Sequence, residues 1–225
     1  MTFRDLATLQ LGIYGAVPVQ WDHYQDGATD NDVVLGIKRL DGVDVVVLRG
    51  SATLRDWMRD FNAFASPVAH DRLGPVHPGF LLGMEQAAQF VQANAAGPFI
   101  VVGHSLGAAR SAIMTALLLD AGAKVLARVC WGEPKPGFQP LAALVGKVLN
   151  FSYRNGNDQH HDLVTDVPLT FPPEEYCHAA PLIQVCTEPP ANDPWGPLRY
   201  HHMELYSAAM PDHPVLNPEE MPSAH

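Results

Sequence analysis

A strand-like run, a glycine-bounded pentapeptide and a helix-forming stretch follow one another in the middle of the chain. Residues 99–102 (FIVV) are apolar, residues 103–107 read GHSLG, and residues 106–121 are rich in Ala and Leu. Small residues are needed at Gly103 and Gly107, because a Cβ there would collide with the neighbouring strand or helix. The pattern predicts a sharp strand-to-helix turn that presents the hydroxyl of Ser105 at the carboxyl-terminal edge of a sheet.

Short apolar runs alternate with helical stretches along the rest of the chain. The strand candidates are residues 33–37, 43–48, 99–102, 125–131 and 145–153, and the helix candidates are residues 6–14, 80–96, 106–121 and 198–209. Continuous apolar runs of this length are typical of parallel strands buried between helices. The sequence therefore predicts one α/β domain over residues 1–225, a mostly parallel sheet with helices on both faces.

The last third of the chain is rich in proline. Eight prolines fall between Pro168 and Pro197, and this stretch predicts a loop-rich excursion with one short strand at residues 182–186. Loops of this length in a compact domain are commonly functional. The tail after Met210 is rich in Pro and Glu, and we expect it to fray.

Composition and charge exclude several classes of protein. The chain has 225 residues, 47% of them apolar, and a formal net charge of −10. An acidic chain lacks the basic face that a nucleic-acid partner requires. No apolar run approaches the ~18 residues of a membrane span, and residues 1–7 lack the basic-then-apolar pattern of a secretory signal. We expect a soluble chain that is cytoplasmic by default, and nothing in the sequence predicts its oligomeric state.

The three cysteines are too few for a dense disulfide framework. Cys177 and Cys186 are close enough in sequence to pair across a loop, and Cys130 lies in a strand candidate. Unpaired thiols are the preferred interpretation, since cytosolic proteins rarely keep disulfides.

A serine hydroxyl becomes a nucleophile when a base accepts its proton and a carboxylate orients that base. After a strand–turn–helix serine, the acid and then the histidine are expected to follow in the chain. Asp158 and Asp162 come just past a strand candidate, and histidines stand at positions 160, 161, 178, 201, 202, 213 and 225. Composition does not choose among them. The helix beginning at Leu106 adds partial positive charge where an oxyanion would form.

Six segments, in order, resemble the class 3 (fungal-type) lipase family of the α/β-hydrolase superfamily. They are residues 46–51 with Asp56 and Trp57, 77–80 (HPGF), 103–108 (GHSLGA), 131–137 (WGEPKPG), 162–168 (DLVTDVP) and 201–206 (HHMELY). The resemblance implies an α/β-hydrolase fold and a lipase or esterase that works through an acyl-enzyme intermediate. It implies a lipid ester or a short-to-medium acyl ester as substrate, and neither a metal nor an organic cofactor.

The resemblance also implies residue roles. Ser105 is the nucleophile, His201 the general base and acid, and Asp162 the carboxylate that orients His201. The backbone N–H groups of Ser51 and Leu106 are the oxyanion donors, and removing one such donor typically costs about 100- to 1000-fold in rate.

Two positions of this triad have an alternative in the sequence. Residues 155–158 (NGND) also resemble the stretch before the family's acid, as if four residues were inserted around residues 159–161, with Thr165 where Pro is usual. The upstream spacing thus favours Asp158, and the downstream spacing favours Asp162, which we take as the acid. For the base, the distance to Tyr206 favours His201 and leaves His202 in reserve, since neighbouring helical residues point about 100° apart.

Other polar residues around these motifs receive simpler interpretations. His160 and His161, together with Asp158 and Asp162, form a cluster that lacks four ligands at a known metal-ligand spacing, and it predicts a solvated loop rather than a metal site. His104 is expected to be packed or hydrogen-bonded rather than catalytic, and Glu133 and Asp166 are expected to be loop or surface carboxylates.

Residues 53–61 either form a lid or a surface helix, with Leu54, Trp57, Met58 and Phe61 on one face. Because this segment is short and charged, we expect modest interfacial activation and a preference for smaller esters.

Three alternatives to a lipase or esterase remain. An acyltransferase or phospholipase would use the same triad, whereas a non-catalytic binding protein on this fold would be expected to have lost a triad member.

Overall fold

The computed structural model of the chain describes residues 1–27, 33–51, 66–169 and 175–216. The lid or helix predicted at residues 53–61, with Asp56 and Trp57, lies outside these ranges, and so does the tail beyond residue 216.

The described elements are named here in chain order. The helices are α1 (Phe3–Ile13), α2 (Pro78–Leu81), α3 (Met84–Asn94), α4 (Leu106–Asp120), α5 (Gln139–Val145) and α6 (Met203–Ala209). The strands are β1 (His23–Gln25), β2 (Leu35–Leu40), β3 (Val43–Leu48), β4 (Val68–His70), β5 (Gly74–Val76), β6 (Phe99–His104), β7 (Val125–Trp131), β8 (Leu149–Asn155) and β9 (Leu182–Val185). The segments Leu163–Asp166 and Gly196–His201 are 3₁₀ helices.

Seven of the described strands form one sheet in the order β1-β2-β3-β6-β7-β8-β9. Each neighbouring pair from β3 to β9 is parallel, which confirms the prediction of a mostly parallel α/β sheet. The prediction of a parallel strand at residues 33–37 is wrong, because β2 pairs antiparallel with β3. The turn residues Asp41 and Gly42, with φ of 50° and 80°, join the two strands directly, and so short a connection permits only an antiparallel pair.

Alternate residues of the central strands enter two separate cores. Val46 and Val101 belong to the core covered by α3, α4 and α5. Val45 and Ile100 belong to the opposite core, which is covered by α1 and α6. Helices therefore cover both faces, as predicted, and this double burial explains why the strands read as continuous apolar runs.

Three predicted elements have different boundaries in the structure. The helix predicted at residues 80–96 is divided into α2 and α3, because Gly83 adopts φ 76°. Val145 ends α5 and does not begin a strand; β8 starts at Leu149. The helix predicted at residues 198–209 is interrupted at His202, whose ψ of 129° is extended. His201 and His202 therefore do not lie on one helix, and the rotation argument made for such a helix does not apply to them.

Residues 211–216, the described part of the chain after Met210, pack against the N-terminal segment. The backbone N–H of Val215 donates to the Met1 carbonyl over 3.4 Å, and Pro214 forms a bridge with Thr2. Val215 and Leu216 are buried in the core that contains α1. The expectation of fraying is therefore wrong up to residue 216, because these two apolar side chains anchor the segment.

Two further structural findings concern thiols and membranes. Cys130, Cys177 and Cys186 are free cysteines, and Cys130 is buried. Across the described ranges, no helix has both the length and the apolar character needed to cross a bilayer.

Candidate active site

The predicted strand-to-helix turn is present, with Ser105 between β6 and α4. Ser105 has φ 61° and ψ −130°, a left-handed conformation that non-glycine residues rarely adopt. The two flanking glycines make this turn possible. A Cβ on Gly103 would overlap the Gly107 carbonyl, and a Cβ on Gly107 would overlap the Leu48 carbonyl.

Asp162 and His201 form a buried pair beside this turn. Nδ1 of His201 lies 2.6 Å from Oδ2 of Asp162, and both residues are almost fully buried. The same Oδ2 accepts a hydrogen bond from the Tyr206 hydroxyl over 2.6 Å, and Oδ1 accepts the Val164 N–H over 3.0 Å.

The electrostatics of this pair determine where its protons lie. Burial raises the pKa of Asp162, but the charge and hydrogen bond of His201, with those of Tyr206 and Val164, outweigh it and hold the pKa below its usual value. An ionised carboxylate only accepts hydrogen bonds, so Nδ1 of His201 carries the proton of the 2.6 Å contact. In the neutral ring, Nε2 is then the acceptor.

A closed loop explains why both Asp158 and Asp162 fit the family spacing. The N–H of Asn157 donates to the His160 carbonyl over 2.7 Å, and the N–H of Asp162 donates to the Asn155 carbonyl over 2.9 Å. Residues 156–161 therefore loop out, and Asp162 returns to the end of β8. Asp158 lies exposed on the loop. The structure brings Asp162, not Asp158, to His201.

Thr165, which stands where the family motif has proline, also supports this turn. Its hydroxyl donates to the backbone carbonyl of Asp162 over 2.7 Å, and its side chain is buried.

Ser105, His201 and Ser51 line a single cavity of about 230 Å³. Its wall also includes the apolar side chains of Leu11 and Met203. Among the described residues, Oγ of Ser105 and Nε2 of His201 are buried without a hydrogen-bond partner. The cavity thus holds a hydroxyl and an imidazole nitrogen whose hydrogen-bonding capacity is unused.

The segment before Ser51 packs directly on the turn. A Cβ on Gly50 would lie 2.7 Å from the His104 carbonyl oxygen and 2.9 Å from Cβ of Ser105. On the other side of the turn, Leu106 is the first residue of α4, so its N–H lacks an intrahelical partner. The structure therefore brings both predicted donor positions, 51 and 106, next to Ser105.

Two further histidines of the predicted motifs contact carboxylates. His202, the reserve base, has its Nε2 2.8 Å from Oδ2 of Asp193, and Nε2 of His161 lies 2.9 Å from Oδ2 of the partly exposed Asp166. Within residues 1–27, 33–51, 66–169 and 175–216, no group of three or more His, Cys, Asp or Glu side chains is arranged to hold a metal ion.

Glu133 lies in the loop between β7 and α5, as one of the two predicted alternatives has it, but it is not at the surface. Glu133 is fully buried and forms an ion pair with Arg128, which is also fully buried. Its second oxygen accepts the Ser152 hydroxyl over 3.0 Å, while Nε of Arg128 donates to the Ser111 hydroxyl over 2.8 Å. A buried charge is tolerated when it is paired and hydrogen-bonded in this way.

Sequence reasoning missed the two tyrosines of the site. Tyr206 donates to Asp162 and accepts the Asn155 N–H over 3.0 Å, and burial together with Asp162 raises its pKa well above the usual value. In the sequence, Tyr206 indicates only the spacing of the family-like segment 201–206. Tyr14, another residue of the cavity wall, lies outside every family-like segment and gave no signal in the sequence.

Gly132 lies against the Asp162–His201 pair and offers a test of its geometry. A Cβ on Gly132 would lie 2.6 Å from Oδ2 of Asp162 and 2.7 Å from Cε1 of His201, at a φ of 58°. We expect Gly132→Ala to displace the pair. For the ester hydrolysis that the family resemblance implies, kcat/KM should then fall by about 100-fold, a typical cost of a 1 Å misplacement.

The matched control is Gly122→Ala: Gly122 has a φ of 78°, and an added Cβ would have no other atom within 4 Å among those compared. It imposes the same backbone strain without touching the pair. Steady-state kinetics and thermal unfolding of both variants check this expectation. Equal activity of the two variants would contradict it.

More than half of the chain matches a known protein family. Residues 45–171, more than half of the chain, match the model of the family described as Lipase (class 3). The secreted mono- and diacylglycerol lipase 1 of Fusarium solani is 32% identical over 125 residues, 51% of this chain and 37% of that protein. The chain thus spans little more than a third of that relative's length.

Solved structures agree on the fold. The triacylglyceride lipase of Rhizomucor miehei superposes with a TM-score of 0.58 at 20% identity, over 73% of this chain and 72% of that one. A triacylglycerol lipase with a serine protease triad at its catalytic centre superposes with a TM-score of 0.57 at 21% identity, over the same shares of 73% and 72%. The chain has the α/β-hydrolase fold of these enzymes and belongs to the class 3 lipase family.

Proposed function

We propose that the chain is a carboxylic ester hydrolase in which Ser105 is the nucleophile, His201 the general base and acid, and Asp162 the orienting carboxylate. The observation that carries this proposal is the buried 2.6 Å contact between His201 and Asp162, on a histidine that lines the same cavity as the strained Ser105. A serine, a histidine and a carboxylate in this relation are the components of acyl transfer.

The reaction proceeds in two steps. Nε2 of His201 takes the proton of the Ser105 hydroxyl as Oγ attacks the ester carbonyl, and the imidazolium then protonates the departing alcohol. Water, deprotonated by the same nitrogen, then attacks the acyl carbonyl; the bond to Oγ of Ser105 breaks, the acid is released, and His201 returns the proton to Oγ. Asp162 remains ionised throughout and stabilises the imidazolium, consistent with the lowered pKa of its carboxyl group.

The oxyanion of each tetrahedral intermediate is assigned to the backbone N–H groups of Ser51 and Leu106. Support comes from the packing of Gly50 on the turn and from the position of Leu106 at the start of α4. Partial positive charge at a helix N-terminus favours negative charge at this place.

Lipid esters, or acyl esters of short to medium chain, are the proposed substrates. Family membership supports this class, as does the relative that is named a mono- and diacylglycerol lipase. Apolar side chains of Leu11, Trp195 and Met203 in the cavity wall suit an acyl or glyceride chain better than a charged group.

A panel of p-nitrophenyl esters of increasing chain length tests the proposal, together with covalent labelling by a fluorophosphonate. We expect turnover and labelling of the wild type, and a loss of at least about 10⁴-fold in kcat for Ser105→Ala. The exposed Ser66 gives the control, since Ser66→Ala should retain both properties. A wild type that neither hydrolyses any ester of the panel nor takes up the label would rule the proposal out.

A further inference from the structure

Tyr14, at the end of α1, reaches the cavity and contacts two other segments of its wall. Its hydroxyl oxygen accepts the backbone N–H of Gly50 over 3.0 Å and lies 3.0 Å from Nδ1 of His104. On the other side of the ring, Nε2 of His104 lies 2.9 Å from the backbone carbonyl oxygen of His201. Four segments that are distant in sequence therefore meet in one row of hydrogen bonds.

This row has a single consistent direction. The His201 carbonyl only accepts, so Nε2 of His104 carries a proton, and in a neutral ring Nδ1 then accepts the proton of the Tyr14 hydroxyl. The remaining lone pair of Tyr14 accepts the Gly50 N–H over 3.0 Å. Each donor in the row thus meets one acceptor: the Gly50 N–H meets Tyr14, the Tyr14 hydroxyl meets His104, and the His104 Nε2–H meets the His201 carbonyl.

The surroundings keep both side chains in the required protonation state. Burial and the neighbouring His201 lower the pKa of His104 to about 3, so the ring is neutral. Burial raises the pKa of Tyr14 far above its usual value, so its hydroxyl keeps its proton. The His104 ring also stacks on the His201 ring, with 4.5 Å between centroids.

We propose that Tyr14 and His104 are positioning residues that hold the oxyanion segment at Gly50 and the backbone of His201 in register with Ser105. The inference rests on the proposed function. Gly50 directly precedes the donor residue Ser51, and His201 is the base, so the row links the two components that must meet the substrate on either side of Ser105. Displacements of about 1 Å in such components are enough to cost about 100-fold in rate.

Tyr14→Phe removes one hydroxyl and leaves the Gly50 N–H and Nδ1 of His104 without it. We expect kcat to fall about 10- to 100-fold while KM changes less than about threefold, because geometry in the transition state is altered more than ground-state binding. The matched control is Tyr24→Phe, which removes the same atom from an exposed tyrosine and should behave as the wild type.

His104 is tested by a pair of variants. His104→Gln keeps an amide that can both donate and accept, and it should recover most of the kcat that His104→Leu loses. Rates are expressed per fluorophosphonate-labelled site, which removes any loss due to unfolded protein. If Tyr14→Phe and His104→Leu turn over as fast per labelled site as the wild type, the positioning role is wrong while the hydrolase function stands.

A spectroscopic measurement tests the row without using activity. Long-range ¹H–¹⁵N spectra of the histidine rings should show His104 as the neutral Nε2–H tautomer across the range of about pH 5 to 8, in which free histidine titrates. A His104 ring that titrates in this range, or that carries its proton on Nδ1, would overturn the proposed direction and with it the positioning role.

Discussion

Asp162→Asn is expected to lower kcat by about 10⁴-fold, the loss typical of a triad that keeps its shape but holds the wrong histidine tautomer. Oδ2 of Asp162 accepts from both His201, over 2.6 Å, and Tyr206, over 2.6 Å. An amide nitrogen at that position would donate to His201 and force its ring proton onto Nε2. The base could then no longer accept the proton of Ser105.

Asp158→Asn is the matched control, since the same change falls on the exposed loop of residues 156–161 and should leave kcat within about twofold of the wild type. Ester hydrolysis by both variants, with circular dichroism to verify folding, measures the difference. A large loss in Asp158→Asn combined with an active Asp162→Asn would show that the acid has been assigned to the wrong residue.

Glu133→Leu is expected to lower the free energy of unfolding by about 3–5 kcal/mol, because it leaves the charge of Arg128 buried without its partner. Arg128 is fully buried in the middle of β7, and its remaining hydrogen bonds, to Ser111, Asn150 and the Ala108 carbonyl, are to neutral groups. These hydrogen bonds do not neutralise the guanidinium.

Urea unfolding of the single variants and of Arg128→Met combined with Glu133→Leu measures the effect. The double variant should be more stable than Glu133→Leu alone, since an apolar pair of similar volume often replaces a buried ion pair at little cost. As a control, Asp120→Asn breaks the exposed contact with Arg72 and should leave the unfolding midpoint unchanged. Additive losses in the double variant would contradict the pairing.

The layout of the fold could be predicted because burial on both faces leaves a direct trace in the sequence. The runs at residues 43–48 and 125–131 are apolar except for Asp44 and Arg128, and near-continuous apolar runs are typical of strands covered on both sides. The direction of each strand does not follow from this apolar pattern. The antiparallel course of β2 depends on the turn at Asp41 and Gly42, whose residue types favour a hairpin, yet this signal was not used.

Charges inside the core were harder to predict, although one signal was present. Arg128 stands in the middle of a run that was predicted to be fully buried, and a buried guanidinium requires a carboxylate nearby. That argument would have moved Glu133 from the surface to the interior. No comparable signal exists for Tyr14, since its contact with Gly50 spans 36 residues and depends on how α1 packs on the sheet.

For the candidate site, local motifs identified Ser105, but the assignment of the carboxylate depended on tertiary contacts. Both Asp158 and Asp162 satisfied one side of the family spacing. Only the backbone hydrogen bond from Asp162 to Asn155, 2.9 Å long, shows which of them stays beside the sheet. A loop that folds back on itself cannot be recognised from the spacing of residues on either side of it.

The closed loop at residues 156–161 also makes the position of the Asp162 carboxylate independent of the number of residues in the loop. Its two ends, Asn155 and Asp162, are held together by their own hydrogen bond, and Gly156 pairs with His161 across its base. Because extra residues in a surface loop cost little when its ends are fixed, this position can gain or lose residues without moving the carboxylate. In this chain, the hydrogen bond between Asp162 and Asn155 fixes the carboxylate beside the sheet, whatever the length of the loop between them.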